Sequence, residues 1–275
     1  MDIKIIYEDS DLLVVDKPTG ITVNRSDTTR EEETVQDWTE KQFTIDNLPL
    51  IIDREGDFYK RGGIVHRLDK ETSGILLIAK NPASFLNLQN QFKERRVEKT
   101  YIALVHGEIK PEIGEINVPV GRLPFNRKRF GIVAGGREAV TKYKLLSVFS
   151  SQLSANSQPV LDSSVQKNRQ QINQNLKTKN REPITESYSL LELYPKTGRT
   201  HQIRVHLKYS GHPVFSDPLY GGRKTSRNDR KVLPRLFLHA AKISFQHPKT
   251  GKEVSFESLL PQELVNFLSV LSPIT

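Results

Sequence analysis

Short apolar runs separated by turn residues dominate the hydrophobic pattern of the chain. They predict strands at residues 3–7, 12–16, 74–80, 99–106, 139–149, 187–194 and 236–245. Helical spacing of apolar positions predicts helices at residues 31–45, 84–96, 201–209 and 262–271. Because strands and helices do not alternate regularly, we expect an α+β fold with a mixed, largely antiparallel sheet and flanking helices, rather than a doubly wound parallel sheet.

One segment, residues 150–184, departs from this pattern. It contains neither glycine nor aromatic residues and is rich in Ser, Gln and Asn. Such a composition buries little apolar surface, and two predicted strands flank the segment. We therefore expect a single domain over residues 1–275 that carries a low-complexity, mobile insertion at about 150–184.

Composition narrows the function classes. The chain of 275 residues has no cysteine, which excludes disulfides, thiol nucleophiles and thiolate metal sites. Lys and Arg number 41 against 32 Asp and Glu, and the resulting net charge of +9 favours a polyanion such as nucleic acid as partner. An export signal and an apolar run long enough to span a bilayer are not visible, so we expect a cytoplasmic protein without a membrane partner.

The stretch HRLDKETSGILLIAK, residues 66–80, carries the first candidate chemistry. Arg67 and Lys70 flank Asp69, Gly74 ends the polar turn, and a continuous apolar run from Ile75 follows. A buried strand directly after the turn would hold a catalytic carboxylate rigidly. A plain surface loop before a strand is the alternative, since most charged loops have no chemical role.

Two further segments offer partners for Asp69. In Lys196–Leu207 a glycine turn precedes Arg199, whose guanidinium could bind a carboxylate through two hydrogen bonds and keep it ionised. Arg199 could equally cap a helix or face solvent. Tyr101 lies on a predicted strand, where its ring offers a stacking face or simply fills the core.

Taken together, these motifs resemble the RluA-like family of RNA pseudouridine synthases. The resemblance rests on blocks in matching order: Tyr7-Glu8-Asp9 through Lys17-Pro18, His66-Arg67-Leu68-Asp69, Lys99-Thr100-Tyr101, Gly198 to Arg204, Asp217-Pro218-Leu219-Tyr220-Gly221 and Leu238-His239-Ala240. Nearly the whole chain is covered, apart from residues 150–184 and part of 24–62.

The resemblance implies isomerisation of uridine to pseudouridine in ribosomal or transfer RNA, without a cofactor or metal. It implies that Asp69 is the catalytic aspartate, Arg199 its ion-pair partner and Tyr101 the ring that stacks on uracil. Arg67 would fill the space that the extruded base leaves. The remaining expected substrate contacts are His66, Leu68, Ile75, Leu76, His201 and Arg204, although Ile75 and Leu76 could instead fill the core.

We expect the catalytic domain alone to recognise RNA. We also expect it to be a monomer with a basic cleft across its sheet. We expect no small S4-type domain in front of the catalytic domain, although many relatives carry one. The basic clusters from Arg122 to Arg129 and from Arg223 to Arg235 are candidates for phosphate contacts, and solvated loops are the alternative. Ser216 stands where relatives often have glycine.

Other classes fit the motifs less well. His201 and His206 have i, i+5 spacing, which is unsuited to a helical zinc site, and HExxH is absent. A glycosidase based on Asp69 and Glu71 lacks a cluster of sugar-binding aromatic residues. A basic RNA-binding protein that uses the same fold without catalysis is the alternative from a different class.

Overall fold

A computed structural model describes residues 1–25, 32–42, 56–150 and 186–274, and the predicted insertion at about 150–184 lies almost wholly outside them. The chain divides into two compact units. Unit 1 comprises Met1–Thr100 and His239–Leu259, and unit 2 comprises Tyr101–Leu238 and Leu260–Thr275. The single domain and its mobile insertion stay predictions.

Unit 1 is built on a mixed sheet with strand order β1-β2-β3-β10-β11. Its strands are β1 (Lys4–Glu8), β2 (Leu12–Lys17), β3 (Ser73–Ala79), β10 (Leu238–Gln246) and β11 (Glu253–Glu257). The pairs β1–β2, β2–β3 and β10–β11 are antiparallel, whereas β3 and β10 are parallel. Every residue of β3 is buried, which explains why its sequence is continuously apolar rather than alternating.

The described residues of unit 1 include three helices, namely α1 (Val35–Gln42), α2 (Asp57–Lys60) and α3 (Pro82–Lys93). Asn81 caps α3 by accepting a hydrogen bond from the backbone N–H of Ser84, and Pro82 occupies the first turn. Phe85 and Leu88 on its inner face are fully buried against Leu77 and its neighbours in the sheet. The helix predicted at 84–96 is therefore confirmed, with its start two residues earlier.

Unit 2 contains an antiparallel sheet with strand order β4-β9-β8-β12, and β5 also pairs with β8. A separate two-stranded hairpin is formed by β6 and β7. The strands are β4 (Glu98–His106), β5 (Ile113–Asn117), β6 (Val120–Leu123), β7 (Asn126–Ile132), β8 (Val140–Ser150), β9 (Ser187–Pro195) and β12 (Ser272–Ile274).

The helices of unit 2 are α4 (Gln202–Tyr209), α5 (Arg223–Val232) and α6 (Gln262–Ser269). Ile203 and Leu207 of α4 pack into one apolar cluster with strand residues such as Leu191, and Leu264 and Phe267 of α6 pack into another. The predicted α+β class, with a largely antiparallel mixed sheet and flanking helices, is confirmed. In the part of the chain that the structure describes, no helix is both long and apolar enough to span a bilayer.

Gly74 provides a test of the packing of β3 against β10. Its φ of 114° is accessible to glycine alone, and an added Cβ would lie 2.2 Å from the carbonyl oxygen of Ala240. We expect Gly74→Ala to lower the free energy of unfolding by more than the roughly 1–2 kcal/mol of backbone strain alone. Gly20→Ala is the matched control, because Gly20 has φ of 82° with open space around its Cα. Urea denaturation that gives equal losses for both variants would contradict the predicted clash.

Candidate active site

Asp69 lies in unit 1 on a tight polar turn that leads directly into β3. The backbone N–H of Thr72 donates to the carbonyl of Asp69 at 3.1 Å and closes the turn. Asp69 is partly exposed and Arg67 is exposed, whereas Leu68 between them is buried. The turn thus presents a carboxylate and a guanidinium outward while an apolar side chain anchors it inward.

Lys17 binds the backbone of this turn from the protein interior. It is the last residue of β2 and is fully buried, and its Nζ donates to the carbonyls of Pro18 at 2.9 Å, Ile21 at 2.9 Å and Lys70 at 3.2 Å. A buried ammonium is stable only when its donors find acceptors in this way. The ammonium therefore connects the exit of β2 with the residue that follows Asp69.

The segment after Lys17 makes two more contacts with the turn. The backbone N–H of Gly20 donates to the carbonyl of Lys70 at 2.8 Å, and the hydroxyl of Thr19 donates to the carbonyl of Glu71 at 2.7 Å. With the Thr72 contact, the consecutive carbonyls of Asp69, Lys70 and Glu71 all accept hydrogen bonds. The backbone beneath the Asp69 carboxylate is accordingly constrained at each of these peptide groups.

A buried pair of polar side chains fixes the C-terminal end of the turn. Ser73 Oγ lies 2.9 Å from His239 Nδ1, and His239 Nε2 lies 3.1 Å from the carbonyl of Ser258. Because a carbonyl only accepts, Nε2 carries the proton and Nδ1 accepts from the Ser73 hydroxyl. This pair links the parallel strands β3 and β10 at the position where Ser73 lies opposite His239.

The other sequence-predicted residues of unit 1 lie further inside. Ile75 and Leu76 are buried within β3, and Ile75 belongs to the main apolar cluster of the unit. His66 stacks on Phe92 with ring centroids 4.8 Å apart, and its Nε2 accepts a hydrogen bond from the backbone N–H of Leu77 at 3.0 Å. These contacts are structural, and substrate contacts by the three residues stay predictions.

Burial governs the protonation of His66. Desolvation, reinforced by the nearby cations Lys99 and Arg61, lowers the pKa of His66 to about 3. The ring is thus neutral at physiological pH, which agrees with its acceptor role toward Leu77. His66 braces β3 directly behind the Asp69 turn.

Arg199 lies in unit 2, on the loop before α4. Its Nε donates to the carbonyl of Glu138 at 3.0 Å, and its backbone N–H donates to Gln202 Oε1 at 3.0 Å. Gln202 is buried and also accepts from the Thr197 hydroxyl at 2.6 Å, while its Nε2 donates to the carbonyl of Val140 at 3.0 Å. A buried glutamine thus binds the loop at Thr197 and at Arg199.

His201 and Arg204 occupy the start of α4 in unit 2. His201 adopts a left-handed φ of 55°, and its Nδ1 lies 2.8 Å from the Tyr220 hydroxyl. Arg204 is buried and forms a bidentate ion pair with Asp217, with Nε–Oδ2 and Nη2–Oδ1 distances of 2.7 and 2.8 Å. Both side chains therefore have structural partners, and their contact with RNA stays a prediction.

Tyr101 is placed on β4 opposite Leu193 of β9. Its ring is partly exposed and packs at the edge of the apolar cluster that includes Ala103, Leu191 and Leu193. The apolar cluster thereby supports part of the ring. Such a ring retains surface that could stack on a base.

Comparison with known proteins identifies the family to which the chain belongs. A family model described as RNA pseudouridylate synthase matches residues 11–209. The chain is 33% identical over 271 residues to the uncharacterized RNA pseudouridine synthase YlyB of Bacillus subtilis (strain 168), covering 98% of this chain and 73% of that protein. It is 34% identical over 278 residues to ribosomal large subunit pseudouridine synthase D of Neisseria meningitidis serogroup B (strain ATCC BAA-335 / MC58), covering 98% and 62%.

Solved structures of pseudouridylate synthase domains have a similar fold. Human RNA Pseudouridylate Synthase Domain Containing 1 superimposes with a TM-score of 0.66 at 26% identity, covering 100% of this chain and 89% of that chain. Human RNA Pseudouridylate Synthase Domain Containing 4 has a TM-score of 0.61 at 21% identity, with coverage of 97% and 92%, and supports the fold alone. These matches define the class of protein, an isomerase that acts on RNA. The chain belongs to the RNA pseudouridylate synthase family, as its motifs predicted.

Several residues that position the site were not assigned these roles from sequence. Lys17, Gln202 and His239 each hold a loop or strand through buried hydrogen bonds. The signal for Lys17 was a lysine that ends an apolar strand before proline, and Gln202 and His239 lay inside the matched motifs. Among the described residues, no group of three or more His, Cys, Asp or Glu side chains is arranged to hold a metal ion.

The lowered pKa of His66 predicts a pH dependence of stability. Between the ordinary pKa of 6.5 and the folded value of about 3, the unfolded chain binds a proton that the folded chain excludes. The free energy of unfolding should therefore fall as pH drops below about 6.5, by at most about 1.4 kcal/mol per pH unit from this group. His66→Gln keeps an acceptor and does not titrate, so its denaturation midpoints should fall less between pH 7.5 and 5. Parallel curves for the two proteins would show that His66 is not buried in its neutral form.

Proposed function

We propose that this chain converts uridine to pseudouridine in structured RNA, with Asp69 as the catalytic carboxylate. The observation that carries the proposal is the Asp69 turn, in which the carbonyls of Asp69, Lys70 and Glu71 are all held by hydrogen bonds while Asp69 stays partly exposed. Such fixation suits a group that must meet one carbon atom of a bound nucleotide.

The chemistry is an intramolecular transfer. The bond between N1 of uracil and C1′ of ribose breaks, the uracil turns, and C5 forms a new bond to C1′. The hydrogen on C5 leaves as a proton and N1 gains one, so atoms balance without a cofactor. Asp69 acts either as a nucleophile at C1′ or as a base toward the sugar, and the geometry of the turn is compatible with both.

Arg199 and Tyr101 complete the proposed catalytic group, as the family resemblance implies. The contact of Arg199 Nε with the Glu138 carbonyl orients the guanidinium, and its terminal Nη groups would bind a carboxylate. Arg199 would then form an ion pair with Asp69, and Tyr101 would stack on the target uracil. Arg67, exposed next to the turn, would occupy the position from which the uridine is extruded.

The interior residues have supporting roles in the proposal. Leu68, Ile75 and Leu76 are buried and would form apolar surface beneath the uracil, while His66 binds the backbone of β3, the strand that carries Ile75 and Leu76. His201 binds Tyr220 and Arg204 binds Asp217, so both would contact RNA while they keep these partners.

Large-subunit ribosomal RNA is the proposed substrate. Support comes from relatives named ribosomal large subunit pseudouridine synthase D, of which this chain spans 62% in Neisseria meningitidis serogroup B and 65% in Nitrosomonas europaea (strain ATCC 19718 / CIP 103999 / KCTC 2705 / NBRC 14298). Transfer RNA is the second substrate to test. A cytoplasmic, monomeric enzyme remains part of the proposal.

Release of tritium from RNA labelled at uracil C5 tests the function, because formation of the new carbon bond expels that hydrogen. We expect wild type to release tritium from an unmodified transcript of large-subunit ribosomal RNA and Asp69→Ala to release none above background. The variant should fold normally, since a partly exposed carboxylate adds little core packing. Asp16→Ala, which removes a partly exposed carboxylate from β2, is the control.

Two results would contradict the proposal. Turnover by a folded Asp69→Ala protein would remove Asp69 from the mechanism. Binding of transcript by both proteins without any tritium release, from ribosomal and transfer RNA alike, would favour the non-catalytic RNA-binding protein instead.

A further inference from the structure

Helix α5 of unit 2 has a buried polar face and, opposite it, an exposed row of cations. Its sequence, RKTSRNDRKV, contains no apolar residue before Val232. Ser226 and Asp229 face inward and are buried, whereas Lys224, Arg227 and Lys231 are exposed. The exposed cations have i, i+3 and i+7 spacing, which places them in one row on the side opposite the buried residues.

Asp229 fixes the inner face. Its Oδ2 lies 2.9 Å from His106 Nε2 and accepts a hydrogen bond from the backbone N–H of Ser216 at 3.1 Å. Ser216 has a left-handed φ of 60°, the conformation that glycine adopts more easily, and its hydroxyl donates to the carbonyl of Leu233 at 2.6 Å. The orientation of α5, and thus of its outer row, is set by polar contacts inside unit 2.

The outer row does not stabilise the helix itself. Like charges at i, i+3 and i+4 repel one another, and Lys224 lies in the first turn, where the helix dipole favours anions. The one acidic residue of α5 is Asp229, which faces inward. Among the described residues, no salt bridge involves Lys224, Arg227 or Lys231. By contrast, Lys41 and Lys70 elsewhere have glutamate partners at 2.7 Å.

We infer that the outer row of α5 binds the phosphate backbone of the RNA substrate. From Lys224 to Lys231 the row is about 10 Å long at the usual helical rise, so it can contact more than one phosphate. Contacts of this kind position RNA without reading its bases. The inference rests on the proposed function in one respect, namely that RNA is the polyanion.

RNA fits the row better than other anionic surfaces do. A membrane-binding helix needs an apolar face beside its cations, and the face of α5 opposite the row is polar and buried. The row also lacks the aromatic and aliphatic side chains that form the centre of protein interfaces. The negative charge of RNA phosphates is therefore the best complement to the row of cations.

The test is direct RNA binding as a function of salt. The variant is Lys224→Gln/Arg227→Gln, and the control is Lys93→Gln/Lys252→Gln, which removes the same charge from exposed positions of unit 1. The probe is an unmodified transcript of a large-subunit ribosomal RNA fragment. Loss of two phosphate contacts should reduce the slope of log K against log salt by about 1.4–1.8 and weaken binding at 0.1 M salt by at least about tenfold.

Thermal unfolding tests whether the substitutions weaken RNA binding only by destabilising the protein. Glutamine has nearly the helix propensity of lysine and arginine, and the α5 variant relieves repulsion, so its Tm should equal or exceed that of wild type. A retained Tm with a reduced salt slope, seen in the α5 variant and not in the control, supports the inference. An unchanged slope, or equal losses in the α5 and control variants, overturns it.

Binding and turnover separate the two proposals. If wild type releases no tritium while the α5 variant still loses RNA affinity selectively, the proposed function fails and the phosphate-binding surface stands. If wild type turns over and the α5 variant binds RNA as tightly as wild type, the surface fails and the function stands.

Discussion

The proposed catalytic turn depends on the hydrogen bonds that the buried ammonium of Lys17 donates. Its three donors meet the carbonyls of Pro18, Ile21 and Lys70, so one cation fixes both the exit of β2 and the residue after Asp69. Burying a charge in this way costs free energy unless every donor is satisfied. The chain therefore tolerates little rearrangement near Lys17, and that rigidity extends to the backbone of Asp69. A carboxylate fixed before substrate arrives needs no costly ordering during reaction.

Similar polar contacts position the other candidate groups, each within its own unit. In unit 1 the Ser73–His239 pair joins β3 to β10, and Gly74 allows the close backbone approach beside it. In unit 2 Gln202 holds the loop of Arg199, and Asp217 binds Arg204. Buried side chains that satisfy loop backbones recur in all these places. Apolar packing forms the sheets, and these hydrogen bonds determine where the loops present their side chains.

The strands with continuous apolar sequence were predictable, because burial on both faces leaves a simple signal. All seven predicted strands are present with ends shifted by at most two residues, and residues 202–209 and 262–269 are helical as expected. Helix α5 was missed because its sequence has no apolar periodicity and is held through Asp229 instead. The strands β6 and β7 were missed because their hairpin is short and rich in basic residues. Of the basic cluster ending at Arg235, Arg235 itself is buried and pairs with Glu263.

The candidate site shows a similar division. Motif order was enough to predict the family and to single out Asp69, Arg199 and Tyr101. It could not show that His66 and Arg204 have partners inside their units, because burial of a polar side chain depends on residues distant in sequence, such as Phe92 and Asp217. The same reason conceals the role of Lys17, whose acceptors include a carbonyl 53 residues away.

Tritium release by Lys17→Met tests most directly whether the fixed turn underlies catalysis. Methionine keeps the unbranched shape of the side chain, one atom shorter, and removes its donors, and Lys4→Met at an exposed position of β1 is the control. We predict that the Lys17 variant, under conditions where circular dichroism shows it folded, releases tritium at least about tenfold more slowly while it still binds the transcript. A folded Lys17→Met protein with the wild-type rate would contradict the account.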